Sequence, residues 1–126
     1  MFYRKLKRSL TAAQERCQAL QSEIDAIKSS VAVIEFTADR TILAANELFL
    51  KSVGYSSSEL IGKKHSELCD PDYARSAAYQ QLWKRLQSGE SFSGTVSRRR
   101  KDGTTIWLEA TYMPVKNPDG TVTKIL

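Results

Sequence analysis

Residues 92–120 read FSGTVSRRRKDGTTIWLEATYMPVKNPDG, and the two Asp-Gly turns inside this stretch decide the fold class. Phe92 to Arg99 and Thr105 to Val115 are β-rich runs bounded by turn formers. Asp102-Gly103 suits the positive-φ positions of a tight hairpin. Pro118-Asp119-Gly120 sets a second turn, with proline fixing φ and glycine accepting the left-handed position. Together with Thr121 to Leu126 this predicts three consecutive antiparallel strands. In the run Thr105 to Val115, Ile106, Leu108, Ala110 and Tyr112 alternate with Trp107, Glu109, Thr111 and Met113. A strand with one wet side alternates more cleanly. One face is therefore expected to line a pocket, and the other to be covered by a helix or a partner.

Upstream, Val31 to Phe36 and Ile42 to Ala45 read as two strands joined by a turn at Ala38-Asp39-Arg40. Asn46 is placed to cap a helix over Glu47–Val53, with Leu48, Phe49 and Val53 inward and Gly54 as the left-handed stop. A short turn from Ser57 or Ser58 through Leu60 closes at Gly62, and another spans His65 to Leu68. Asp72 then caps a longer helix, Tyr73 to Gln87, with Ala77, Leu82 and Leu86 toward the core and Gly89 ending it. The fold class is α+β: a five-stranded antiparallel sheet with short helices on one face.

From Leu6 the apolar residues fall at Leu6, Leu10, Ala13, Cys17, Leu20, Ile24, Ile27 and Val31, in alternating steps of four and three. That is the period at which two helices coil around each other. Ala13 and Cys17 make the seam weaker than a leucine zipper. Residues 1–30 are therefore expected to form an amphipathic heptad helix that packs on its own domain and pairs with a second copy, giving a homodimer. Residues 31–126 form the domain proper.

The chain has 126 residues, 41% of them hydrophobic, and a formal net charge of +5. That suffices for one core. The excess charge sits in the N-terminal helix and in Arg98-Arg99-Arg100-Lys101. No aromatics interleave with that run, so it reads as a solvated turn that discourages edge pairing rather than a nucleic-acid surface. Cys17 and Cys69 have neither disulfide-framework nor zinc spacing, which points to the reducing cytoplasm. No apolar run is long enough to span a bilayer.

Catalytic chemistry finds little to stand on. The single histidine, His65, has no nucleophile elbow to serve, and the six glycines are dispersed at turns rather than gathered in a phosphate loop. His65 and Cys69 would share a face of a helical turn, but two further soft ligands are lacking for a metal. The expectation is a module without enzymatic activity and without a metal cluster.

The order of elements resembles a PAS domain. The resemblance rests on Ala45-Asn46-Glu47-Leu48-Phe49, Gly54-Tyr55, Glu59-Leu60-Ile61-Gly62, Gly89-Glu90, Arg99-Arg100-Lys101-Asp102-Gly103, Trp107, and Pro114-Val115 through Asp119-Gly120. It covers about residues 31 to 126. The patterns H-x-x-x-x-D-P-D-Y, L-W-x-x-L-x-x-G-E and W-L-E-A-T-Y-M-P-V look like the PAS modules of aerotaxis receptors and soluble methyl-accepting chemotaxis proteins. The resemblance implies a cytoplasmic sensory module that relays a small ligand or a redox state to a downstream signalling domain of the same, longer protein. Input domains of histidine kinases or of cyclic-dinucleotide enzymes, and a ligand-free dimerisation module, are the alternatives.

It also implies a pocket, with Phe49, Leu60, Trp83, Leu86, Val96 and Leu108 as its candidate lining. Haem would use His65 as its proximal ligand. Flavin adenine dinucleotide would use Asp72, with Trp83 and Trp107 stacking on the ring. The flavin-binding aerotaxis module carries R-H-P-D where this chain has Cys69-Asp70-Pro71-Asp72: Pro71 and Asp72 match, but the two cations are gone. Haem, flavin, and an empty pocket or a small uncoloured ligand all stay open on these residues.

Overall fold

The computed structural model describes residues 1–126, which divide into two compact units, Met1–Val31 and Ala32–Leu126. The first is one helix, α1 (Phe2–Ser30), none of whose residues is buried. Its heptad residues Leu6, Leu10, Leu20, Ile24 and Ile27 are all exposed. No helix in the chain is long and apolar enough to cross a membrane.

The second unit runs β1 (Ile34–Thr37), β2 (Ile42–Ala45), α2 (Glu47–Val53), α3 (Ser57–Leu60), a 3₁₀ turn at His65–Leu68, α4 (Pro71–Ala74) and α5 (Ala77–Gln87). Then come β3 (Phe92–Arg99), β4 (Thr105–Tyr112), β5 (Pro114–Lys116) and β6 (Val122–Ile125). The antiparallel order is β2-β1-β6-β5, with β3 paired to β4. Met113 joins the two sets by exchanging backbone bonds with Leu126 at 3.0 and 3.1 Å. The expected fourth strand is thus broken in two. Pro114 has no N–H to donate and a φ held away from the extended value, so the ladder interrupts there. Counting β4 and β5 as one broken strand recovers the expected five-stranded sheet.

Capping chemistry places most helix ends. Asn46 Oδ1 accepts from Phe49 N at 3.0 Å and from Val33 N at 2.9 Å, so it both starts α2 and ties it to the entry of β1. Gly54, at φ +78°, ends that helix. The inward residues of α2 are Phe49, Leu50 and Val53, whereas Leu48 points outward. The long helix expected over Tyr73–Gln87 is two helices instead. Asp70, not Asp72, caps α4 through Asp72 N at 2.9 Å, and Ser76 caps α5 through Tyr79 N at 3.2 Å. A second strong cap in mid-run stops the first helix and starts another. Helix α5 then buries Tyr79, Leu82, Trp83 and Leu86, an i, i+3, i+4, i+7 stripe, and leaves Ala77 exposed.

Three turns share one design. In residues 37–41, 100–104 and 117–121 an aspartate at the third position accepts from the threonine N–H two residues on, at 3.4, 2.9 and 2.9 Å. The fourth position is left-handed in each: Arg40 at φ +79°, Gly103 and Gly120 both at +87°. Arginine in that conformation is disfavoured by roughly 1–2 kcal/mol. Its side chain offers a reason for its presence, since the guanidinium lies 5.3 Å from the Tyr79 ring centre and 5.7 Å from that of Trp83.

Candidate functional site

The 3₁₀ turn delivers His65 into the space between the sheet and α5. The ring is 1% exposed. It stacks on Tyr79 and meets Phe36, Trp83 and Tyr112 edge-on, with ring centres 5.0–5.8 Å apart. Both ring nitrogens are engaged: Nδ1 lies 2.9 Å from Tyr79 Oη and Nε2 lies 2.9 Å from Tyr112 Oη. Cys69 Sγ is a further 3.5 Å neighbour of Nδ1.

Arg98 orients this network. It is 5% exposed, and its Nη2 donates to Tyr112 Oη at 2.6 Å. Arginine accepts nothing, so the Tyr112 proton goes to His65 Nε2. His65 therefore carries its own proton on Nδ1 and donates it to Tyr79 Oη. The result is a directed chain, Arg98 to Tyr112 to His65 to Tyr79. Burial, and then the positive fields of Arg98 and Arg40, hold the imidazole pKa well below its usual 6.5. The ring stays neutral. Burial likewise pushes the Cys69 thiol and the Tyr112 phenol upward, so neither supplies an anion.

A cavity of about 180 Å³ opens beside this cluster. Of the candidate lining residues, Phe49, Val96 and Leu108 do border it, together with His65. Leu60, Trp83 and Leu86 are fully buried in the core rather than on its wall. Asp72 is a surface residue paired with Arg75 at 2.7 Å. Trp107 is 71% exposed, because odd-numbered positions of β4 face away from Leu108, Ala110 and Tyr112. The outer face expected to be covered is exposed at Trp107 and Met113. Sequence reasoning missed Arg98, which it placed in a solvated run. The signal was available: Phe92, Gly94 and Val96 alternate inward along β3, and two residues on comes Arg98.

The fit of the two cofactors can be tested on these distances. A proximal haem ligand needs a free imidazole nitrogen, and both nitrogens of His65 are taken by tyrosines. The cavity is near the ~150 Å³ that encloses a benzene and below the ~300 Å³ where cofactor-sized pockets begin. Neither tryptophan presents a face to it. The residues in this arrangement fit neither haem nor a flavin ring.

A family profile described as the PAS fold matches residues 42–126. The chain belongs to the PAS family. It is 41% identical over 107 residues to the biofilm dispersion protein BdlA of Pseudomonas aeruginosa, covering 85% of this chain and 26% of that protein. It is 38% identical over 74 residues to the aerotaxis receptor of Escherichia coli, covering 59% of this chain and 14% of the receptor. This PAS chain thus spans about a quarter or less of either relative. Its fold also matches a PAS domain from Colwellia psychrerythraea, with a TM-score of 0.73 at 18% identity over 85% of this chain and 91% of that one.

Proposed function

We propose that this PAS domain is the sensory input of a cytoplasmic chemotaxis- or aerotaxis-type transducer, passing a change in its cavity to a downstream signalling domain. The similarity to two signalling proteins supports the class. The observation that carries the mechanism is the cavity itself, bordered by the Arg98–Tyr112–His65 chain. A ligand arriving there shifts the hydrogen bonds that join β3 and β4 to the 3₁₀ turn and α5. Such a shift acts on packing that has discrete arrangements.

The exposed heptad seam of α1 supplies the second half of the reading. Two copies pair along Leu6, Leu10, Leu20, Ile24 and Ile27, which makes a homodimer the unit of relay.

A chimera tests the proposal. The chain is grafted over the matching segment of the E. coli aerotaxis receptor, and swimming behaviour is scored with the cavity open or filled by Ala110→Phe. A response that disappears on filling supports the sensory reading. A chimera that assembles and behaves identically in both forms refutes it.

A further inference from the structure

Arg98 carries a positive charge into the cavity wall and forms no ion pair there. Nη2 donates to Tyr112 Oη at 2.6 Å, and Nη1 donates to the Ser97 carbonyl at 2.7 Å. Both partners are neutral, and three of its five N–H groups have no protein acceptor. The ion pairs of the chain lie elsewhere, at Lys64–Asp39, Arg75–Asp72, Arg85–Glu90, Lys101–Glu59 and Lys124–Glu35. Glu109 also borders the cavity, but it is exposed, makes no ion pair with Arg98, and its Oε1 accepts from the Thr95 hydroxyl on the neighbouring strand.

A buried cation with only neutral partners is an unfinished interaction. A guanidinium fork is shaped for a carboxylate, bidentate and charge-assisted. Much of the remaining wall is apolar, with Phe36, Phe49, Leu68, Val96 and Leu108, while Ser52 and Thr111 add neutral hydroxyls. His65, neutral and bonded at both nitrogens, adds no competing charge.

We propose that the cavity binds a small monocarboxylate, its carboxylate on Arg98 and its apolar body against Phe49, Val96 and Leu108. The volume, about 180 Å³, sets the size at roughly one six-membered ring with its carboxylate. This names the ligand class for the sensory reading above and takes its biological meaning from it. It replaces haem and flavin, for which the site is too small and its histidine already engaged.

Benzoate and benzyl alcohol are the probes, matched in shape and differing in charge. Calorimetric titration and thermal melting of the full chain are run with each. The expected result is saturable benzoate binding that raises the melting temperature, at least ~10-fold tighter than benzyl alcohol, since a hydrogen bond to a charged group is worth about that factor. Arg98→Gln brings benzoate down to the level of the alcohol. Should that variant fail to fold, Ala110→Phe serves instead, abolishing benzoate binding by filling the space. Equal affinity for both probes, or no benzoate binding to the folded chain, overturns the proposal. The chimera separates the two failures. A response lost on filling without benzoate binding keeps the sensor and rejects the ligand class; benzoate binding with a silent chimera keeps the site and rejects the sensor.

Discussion

Replacing Tyr112 by phenylalanine removes one oxygen and keeps the ring, so its effect isolates what that hydroxyl does. The oxygen accepts from Arg98 at 2.6 Å and donates to His65 Nε2 at 2.9 Å, on a residue 8% exposed. A hydrogen bond to a charged group contributes about 1.5–3 kcal/mol, and a stranded buried acceptor costs about 1–3 kcal/mol. Tyr112→Phe should therefore destabilise the domain by roughly 3–5 kcal/mol. Tyr79→Phe should cost only about 1 kcal/mol, because it strands a neutral N–H that still has Cys69 Sγ at 3.5 Å. The assay is urea unfolding at pH 7.5 followed by far-UV circular dichroism, since exposed Trp107 would blur a fluorescence signal. In thermal melts the same loss reads as roughly 12 °C or more for a domain of this size. Arg98→Met provides the control: with the cation gone, Tyr112→Phe should lose most of its effect, a coupling of about 2 kcal/mol. A Tyr112→Phe cost within about 0.5 kcal/mol of Tyr79→Phe, or a strictly additive double variant, would refute the directed chain.

Five further outcomes are expected. The depressed pKa of His65 means that the unfolded chain takes up the proton first as pH falls through 6.5. Stability should then drop by up to about 1.4 kcal/mol per pH unit below that point and be unaffected above it. Urea midpoints at pH 7.5, 6.5 and 5.5 check this, and an equal slope in His65→Gln argues against it. Asp39 and Glu59, each with a pKa lowered to about 2 by hydrogen bonds chiefly to Thr37 and Lys101 respectively, contribute in a separate window, lost as pH falls below about 4. Asn46→Ala removes the acceptor of both Phe49 N and Val33 N and should cost about 2 kcal/mol in the same urea assay; less than 0.5 kcal/mol means the cap is idle. Arg40→Gly should be more stable than Arg40→Ala by about 1 kcal/mol, reversing the order seen at ordinary positions, because only glycine is at ease at φ +79°. Trp107→Lys should shift chain stability by less than about 0.5 kcal/mol, and a loss above about 2 kcal/mol would show that the outer sheet face is covered.

Elements whose signals are local were legible in the sequence. Asn46 before an apolar run and Gly54 after it marked α2, since a cap acts on backbone groups three or four residues away. Phe49, Val96 and Leu108 border the cavity as the PAS pattern implies, and His65 stands out as the single histidine. The readings that missed share a cause. Tyr73–Gln87 reads as one helix until Ser76 is counted as a second cap. Leu60, Trp83 and Leu86 are apolar and central, yet a residue can be fully buried without bordering a cavity. Trp107 and Leu108 are neighbours in sequence and opposites in space.

The order of elements and the family they compose follow from residues read along the chain, because periodicity, caps and turn chemistry are written within a few residues of one another. Which charge lies inside was decided by the tertiary structure alone. Arg98 and Arg99 are the same residue type on adjacent positions, and only the pairing of β3 with β4 beneath α2 and the 3₁₀ turn turns one of them inward. The hydrogen-bond chain that follows joins residues up to 47 positions apart, His65 to Tyr112, and exists only once sheet and helices have met.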